Sequence, residues 1–78
     1  GELKKRFDIL VYDREMKPWM LVECKGLEVE LNQSVLDQAL RYNMSVPVDY
    51  ILITNGKQTF GWCKGEAGLI EIEKVPSR

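Results

Sequence analysis

Hydrophobic positions in this chain follow two different periods. Phe7 to Tyr12 (FDILVY) is a short apolar run of strand type. Residues 13–18 (DREMKP) are polar and end in proline, which predicts a hairpin loop. Residues 19–25 (WMLVECK) predict a second strand, with Gly26 at its exit. The spacing then changes. Over 32–45 the chain is rich in helix formers, and Val35, Leu36, Ala39, Leu40 and Met44 recur at helical spacing. Asn32 or Ser34 is available as the N-cap. Pro47 ends the helix, because the residue before a proline is pushed away from helical angles.

Residues 49–54 (DYILIT) predict a third strand with almost no polar interruption, the pattern of a strand covered on both faces. Asn55-Gly56 is the strongest hairpin signal in the chain, and residues 57–63 (KQTFGWC) predict the returning strand. Gly65 to Gly68 turns again, and 69–75 predicts a short outer strand. The expected order is β-β-α-β-β, with the outer strand as a fifth. A helix between strands of one sheet implies a crossover to a parallel neighbour, and the hairpins add antiparallel pairs. The class is therefore α/β, with a mixed four- to five-stranded sheet and one crossover helix. No repeat, low-complexity tract or linker interrupts the chain. Residues 1–78 read as a single domain with a polar tail at 76–78. The chain enters a strand almost at once, so it reads as a piece of something larger.

Composition narrows the chemistry. The 78 residues carry no His, which removes Ser-His, Cys-His and His-metal sites. Two cysteines, Cys24 and Cys63, cannot make a zinc site or a disulfide framework. Both lie in apolar runs and read as reduced, packed thiols of a cytoplasmic protein. A net charge of -1 gives no overall attraction to nucleic acid or membranes. Lys4, Lys5, Arg6, Arg41, Lys57 and Lys64 are too few and too scattered for a basic stripe. No apolar run approaches the ~20 residues of a membrane span.

Three charges sit inside strands: Asp8 in the first, Glu23 and Lys25 closing the second. An unpaired charge in an apolar sheet costs several kcal/mol, so each needs a partner or water. Side chains alternate along a strand, which puts Asp8, Leu10 and Tyr12 on one face of the first. Trp19, Leu21, Glu23 and Lys25 share a face of the second. Pairing Tyr12 with Trp19 sets Asp8 opposite Glu23. Directly opposed residues have Cβ atoms ~4.5–5.5 Å apart, close enough for two carboxylates to hold one hard cation. Mg²⁺ is often held by one or two carboxylates and keeps several waters. Lys25 would then face an attacking water or a scissile phosphate. The plainer reading of Glu-x-Lys is a solvated strand end or a same-face ion pair. Gln38 and Tyr42, four residues apart on the helix face of Val35 and Ala39, read alone as a solvated polar residue and a core-edge aromatic. The helix must nevertheless return to the sheet that carries Glu23 and Lys25.

Together these residues resemble the PD-(D/E)xK nuclease superfamily, and more closely the N-terminal nuclease domain of type I restriction enzyme R subunits. The matching stretches are Arg6-Phe7-Asp8-Ile9-Leu10-Val11, Leu21-Val22-Glu23-Cys24-Lys25, Gln38-Ala39-Leu40-Arg41-Tyr42 and Ile53-Thr54-Asn55-Gly56. The resemblance implies a metal-dependent DNA endonuclease domain that hydrolyses phosphodiester bonds. Asp8 and Glu23 would bind Mg²⁺, for which Mn²⁺ can substitute, with the backbone carbonyl of Cys24 as a third oxygen ligand. Lys25 would orient the attacking water and stabilise the transition state, and Gln38 and Tyr42 would line the same cleft and meet DNA. The partners implied are double-stranded DNA, with motor and specificity/modification subunits engaged through regions outside this chain, and the chain itself has no ATP site. Relative to the superfamily core, the sequence lacks the first helix and has Phe7 in place of the motif's proline. A sheet face left bare by that loss favours self-association into homo-oligomers. Two alternatives stand beside this reading. One is a non-catalytic relative that binds DNA or a subunit, with Glu23 paired to Lys25 or Arg6. The other is an unrelated α/β module, which would put Asp8 and Glu23 on opposite faces of the sheet.

Overall fold

The computed structural model describes residues 7–74, and side chains from Asp8 onward. The basic cluster Lys4-Lys5-Arg6, Val75 and the tail at 76–78 lie outside the described residues. Five strands and one helix follow in the order β1 (Phe7–Tyr12), β2 (Pro18–Cys24), α1 (Gln33–Asn43), β3 (Tyr50–Thr54), β4 (Thr59–Gly65) and β5 (Gly68–Ile72). The expected β-β-α-β-β series is thus extended by the outer strand, which spans Gly68–Ile72 rather than 69–75. The strands lie side by side in sequence order in one mixed sheet. β2 and β3 run parallel, and every other neighbouring pair is antiparallel.

Local chemistry sets the ends of these elements. In the β1–β2 loop the Asp13 carboxylate accepts hydrogen bonds from the backbone N–H of Glu15 (2.8 Å) and Lys17 (2.9 Å). The register then shifts between Val11 and Tyr12, so that Tyr12 pairs with Pro18 and not with Trp19. The bulge takes up one extra residue, and the pairing beyond it is as expected: Leu10 opposite Leu21, Asp8 opposite Glu23. Asn32 caps α1, its Oδ1 accepting from the Val35 N–H at 3.0 Å. At the other end of α1 the Lys64 ammonium, carried by β4, donates to the Met44 carbonyl (3.1 Å) and to that of Val46. The Met44 carbonyl, at the C-cap, has no partner within the helix, and a cation there also suits the helix dipole; the Val46 carbonyl lies beyond the helix and also accepts from the Val48 N–H.

The β3–β4 connection is longer than a two-residue turn. Asn55 Oδ1 accepts from the N–H groups of both Lys57 (2.9 Å) and Gln58 (2.8 Å). With those two groups taken by the turn, β4 starts at Thr59 and not at residue 57. Gly56 has φ of +90°, and a Cβ there would come within 2.9 Å of the Leu27 side chain. Only glycine satisfies both conditions at low cost.

The core lies on one side of the sheet. Leu21, Ile51, Ile53 and Trp62 meet Leu36 and Ala39 of α1, with Leu31 and Val48 closing the margins. Ile51 and Ile53 have no solvent contact, so the unbroken apolar reading of β3 holds for the central strand. On the opposite side of the sheet, alternation places Ile9, Val11, Val22, Leu52, Ile70 and Ile72. Ile9 and Ile70 are exposed there, whereas Leu52 is buried and folds over the open face of Gly61.

Candidate active site

Glu23 is the last residue but one of β2, and its carboxylate is completely buried. A bare carboxylate there would be prohibitive. Among the described residues, donors from two different places meet its charge. The Lys25 ammonium lies 2.8 Å from Oε2. The Asn43 side-chain amide donates to Oε1 at 2.5 Å and, through the same nitrogen, to the Ala39 carbonyl at 2.9 Å. Lys25 is itself anchored, because its backbone N–H donates to the Thr54 carbonyl at 2.8 Å. The hydrogen bonds of β2 to β3 therefore continue one residue past the strand end, and this sets the direction of the lysine side chain.

A cleft of about 270 Å³ opens over this pair, lined by Glu23, Lys25, Val35, Gln38, Ala39 and Tyr42. The expected face of α1 thus meets the expected face of β2. Gln38 and Tyr42 stand on the solvent side of the cleft, both exposed, while Glu23 and the Lys25 stem form its floor. Asp8 sits directly across the β1–β2 ladder from Glu23, on the same face of the sheet, and is exposed. It is not among the residues lining the cleft. The arrangement with Asp8 and Glu23 on opposite faces, which would have pointed to an unrelated module, does not occur.

Cys24 lies between Glu23 and Lys25 in sequence and opposite Phe7 in the ladder. Its thiol is pushed above the ordinary range, first by burial and then by the negative charges of Asp8 and Glu23. The side chain therefore stays a neutral thiol near neutral pH, and only the backbone carbonyl of Cys24 is a suitable oxygen donor to a hard cation. Among the described residues no group of three or more Asp, Glu, Cys or His side chains could hold a metal. A divalent ion here would rest on the acidic pair, a backbone carbonyl and water.

Two contributors escaped the sequence reading. Asn43 is a polar residue on the helix face that otherwise buries Leu36 and Ala39. That position was the available signal. Asn55 was read only as a turn residue, yet its side-chain amide also donates to the Val29 carbonyl at 2.8 Å. It thereby ties the β2–α1 connection to the β3–β4 turn beside Lys25.

A mixed α/β sheet with one covering helix, and a buried Glu23–Lys25 ion pair at the end of its second strand, defines a small domain with a polar cleft between sheet and helix. The chain matches the family model of the type I restriction enzyme R protein N terminus over residues 1–76, and it belongs to that family. No curated protein and no solved structure matches the chain. Among the described residues no helix is long and apolar enough to cross a membrane.

Proposed function

We propose that this chain is the nuclease domain of a type I restriction enzyme R protein, hydrolysing DNA phosphodiester bonds with a divalent cation. The observation that carries the reading is the register of Asp8 opposite Glu23, with the Lys25 ammonium 2.8 Å from the buried Glu23 carboxylate. Membership of the family supports the context. Asp8, Glu23 and the carbonyl of Cys24 supply hard oxygen donors, which suit Mg²⁺ or Mn²⁺. A bound divalent ion would lower the pKa of its water and counter the negative charge developing on the phosphoryl oxygens. The Lys25 ammonium would bring a second positive charge to the same place and orient the attacking water. Gln38 and Tyr42, exposed on the rim, would meet the DNA backbone. Double-stranded DNA is the substrate, and the motor and specificity/modification subunits would act through regions outside this chain.

A second reading rests on the same ion pair. The Glu23–Lys25 contact is what a non-catalytic DNA- or subunit-binding relative would show. Two measurements separate them. In the full-length protein, Glu23→Ala or Lys25→Ala is expected to abolish Mg²⁺- or Mn²⁺-dependent DNA cleavage; cutting at the parental rate by both variants overturns the nuclease reading. Calorimetry with MnCl₂ is expected to show saturable binding that Asp8→Asn removes. Absence of binding to the parent favours the non-catalytic relative.

A further inference from the structure

The cleft between α1 and β2 is lined by Glu23, Lys25, Val35, Gln38, Ala39 and Tyr42. Its formal charges cancel: the Lys25 ammonium lies 2.8 Å from Oε2 of the buried Glu23 carboxylate, and the other four lining residues are neutral. Asp8 does not contribute to the lining. A charged group entering the cleft would meet a like charge beside the opposite one, whereas a neutral group meets no such opposition. The rest of the lining says what kind of neutral group it suits. Val35 and Ala39 give an apolar wall on one face of α1. Gln38 offers an amide that both donates and accepts. Tyr42, 72% exposed, offers an aromatic ring at the rim. An apolar wall, an aromatic ring and a two-way amide match a flat heterocycle with a hydrogen-bonding edge. The volume of about 270 Å³ lies just below the ~300–1,000 Å³ of most small-molecule sites, which suits a single ring system better than a whole nucleotide.

We propose that this cleft takes one unpaired nucleobase of a DNA substrate, with Tyr42 stacked on its face and Gln38 hydrogen-bonded to its edge. The inference rests on the DNA-binding part of the reading above and needs no metal. Stacking one base on an aromatic side chain gains about as much as drawing one out of a duplex costs. The cleft therefore gains only on a base that is already unpaired. With a net charge of -1 the chain has little phosphate attraction to add. Single-stranded or opened DNA is then preferred to intact duplex, and binding depends only weakly on salt.

The test is a titration, in EDTA, of a short DNA strand of abasic spacers carrying one central 2-aminopurine, whose fluorescence falls when the base stacks. Quenching on binding is expected. An all-spacer strand of the same length, read as a competitor, is expected to bind about 5-fold or more weakly, and so is an intact duplex. Equal binding of the all-spacer strand, or tighter binding of the duplex, overturns the proposal and leaves the DNA-binding reading standing. A chain that binds none of these DNAs overturns that reading as well. Two variants, checked for folding by circular dichroism, locate the contact. Tyr42→Ala is expected to lose about 5-fold or more in affinity for the 2-aminopurine strand, and Tyr42→Phe, which keeps the ring, to bind as the parent does. Tyr42→Phe as weak as Tyr42→Ala would assign the contact to the hydroxyl and overturn the stacked arrangement.

Discussion

A carboxylate without solvent contact is stable as an anion only while its donors remain in place, and at Glu23 those donors are unequal. Lys25 supplies a full charge, and its side chain is 18% exposed. It can swing into water if Glu23 is neutralised, whereas Glu23 cannot follow it. Lys25→Ala is therefore expected to lower stability by about 3 kcal/mol, and Glu23→Gln by clearly less, as read from urea unfolding. Equal losses would show that the buried charge does not depend on the lysine. Cys24 adds a pH dependence. Its folded thiol titrates above the ordinary value, so the unfolded chain loses that proton first as pH rises. Its contribution to stability is complete below the ordinary thiol range and disappears as pH climbs through the folded value. Iodoacetamide at neutral pH is expected to modify Cys24 more slowly than it modifies glutathione, measured by mass spectrometry; equal rates would contradict the shift. At this scale the acids were legible because a charge in a period-two apolar run is anomalous. Asn43 was not, because a single polar residue near a helix end ordinarily faces solvent. Nothing in its own identity marks the buried carbonyl and carboxylate it serves.

At the scale of elements, both ends of α1 are held by side chains. Asn32 closes the first turn, and Lys64 reaches across from β4 to the last carbonyls. Asn32→Ala is expected to cost about 1 kcal/mol. Lys64→Ala should cost a similar amount, about 0.5–2 kcal/mol, which combines a lost charge-assisted bond with the dipole term. Thermal melts of the two single variants check both; no change in either would remove the end-capping account. Element order and type followed from the change of period at residue 32 and from the proline at 47. The limits did not. Lys57 and Gln58 have strand-compatible sequence but surrender their N–H groups to Asn55, and the bulge at Tyr12 arises from ladder geometry that no residue announces. Lys64 read as a scattered surface charge. Its distant partners, the carbonyls of Met44 and Val46, become neighbours only when α1 crosses the sheet.

For the whole molecule, the cation site proposed above, assembled from strands and helix, would link binding to global stability. At ten times the dissociation constant, Mn²⁺ should add about 1.4 kcal/mol, which for a domain of this size raises Tm by roughly 6–11 °C. Asp8→Asn should abolish the rise in a scan with and without EDTA. A parental rise that survives Asp8→Asn would place the ion elsewhere. The α/β class and the parallel β2–β3 pair were legible, because a helix between two strands of one sheet leaves few arrangements. Side-chain packing was not: the burial of Leu52 over Gly61 depends on tertiary contact that no pattern encodes. Strand order that simply repeats chain order has one more consequence. Asp8 and Glu23 belong to a single local hairpin, which can close within microseconds, whereas Asn43 arrives with the helix and Thr54, the anchor of Lys25, with the later strands. A hairpin that closes first would bring the two acids together with Lys25 before Asn43 and Thr54 arrive. The ammonium two residues past Glu23 is then the first charge to offset them, and the helix and later strands fix it in place.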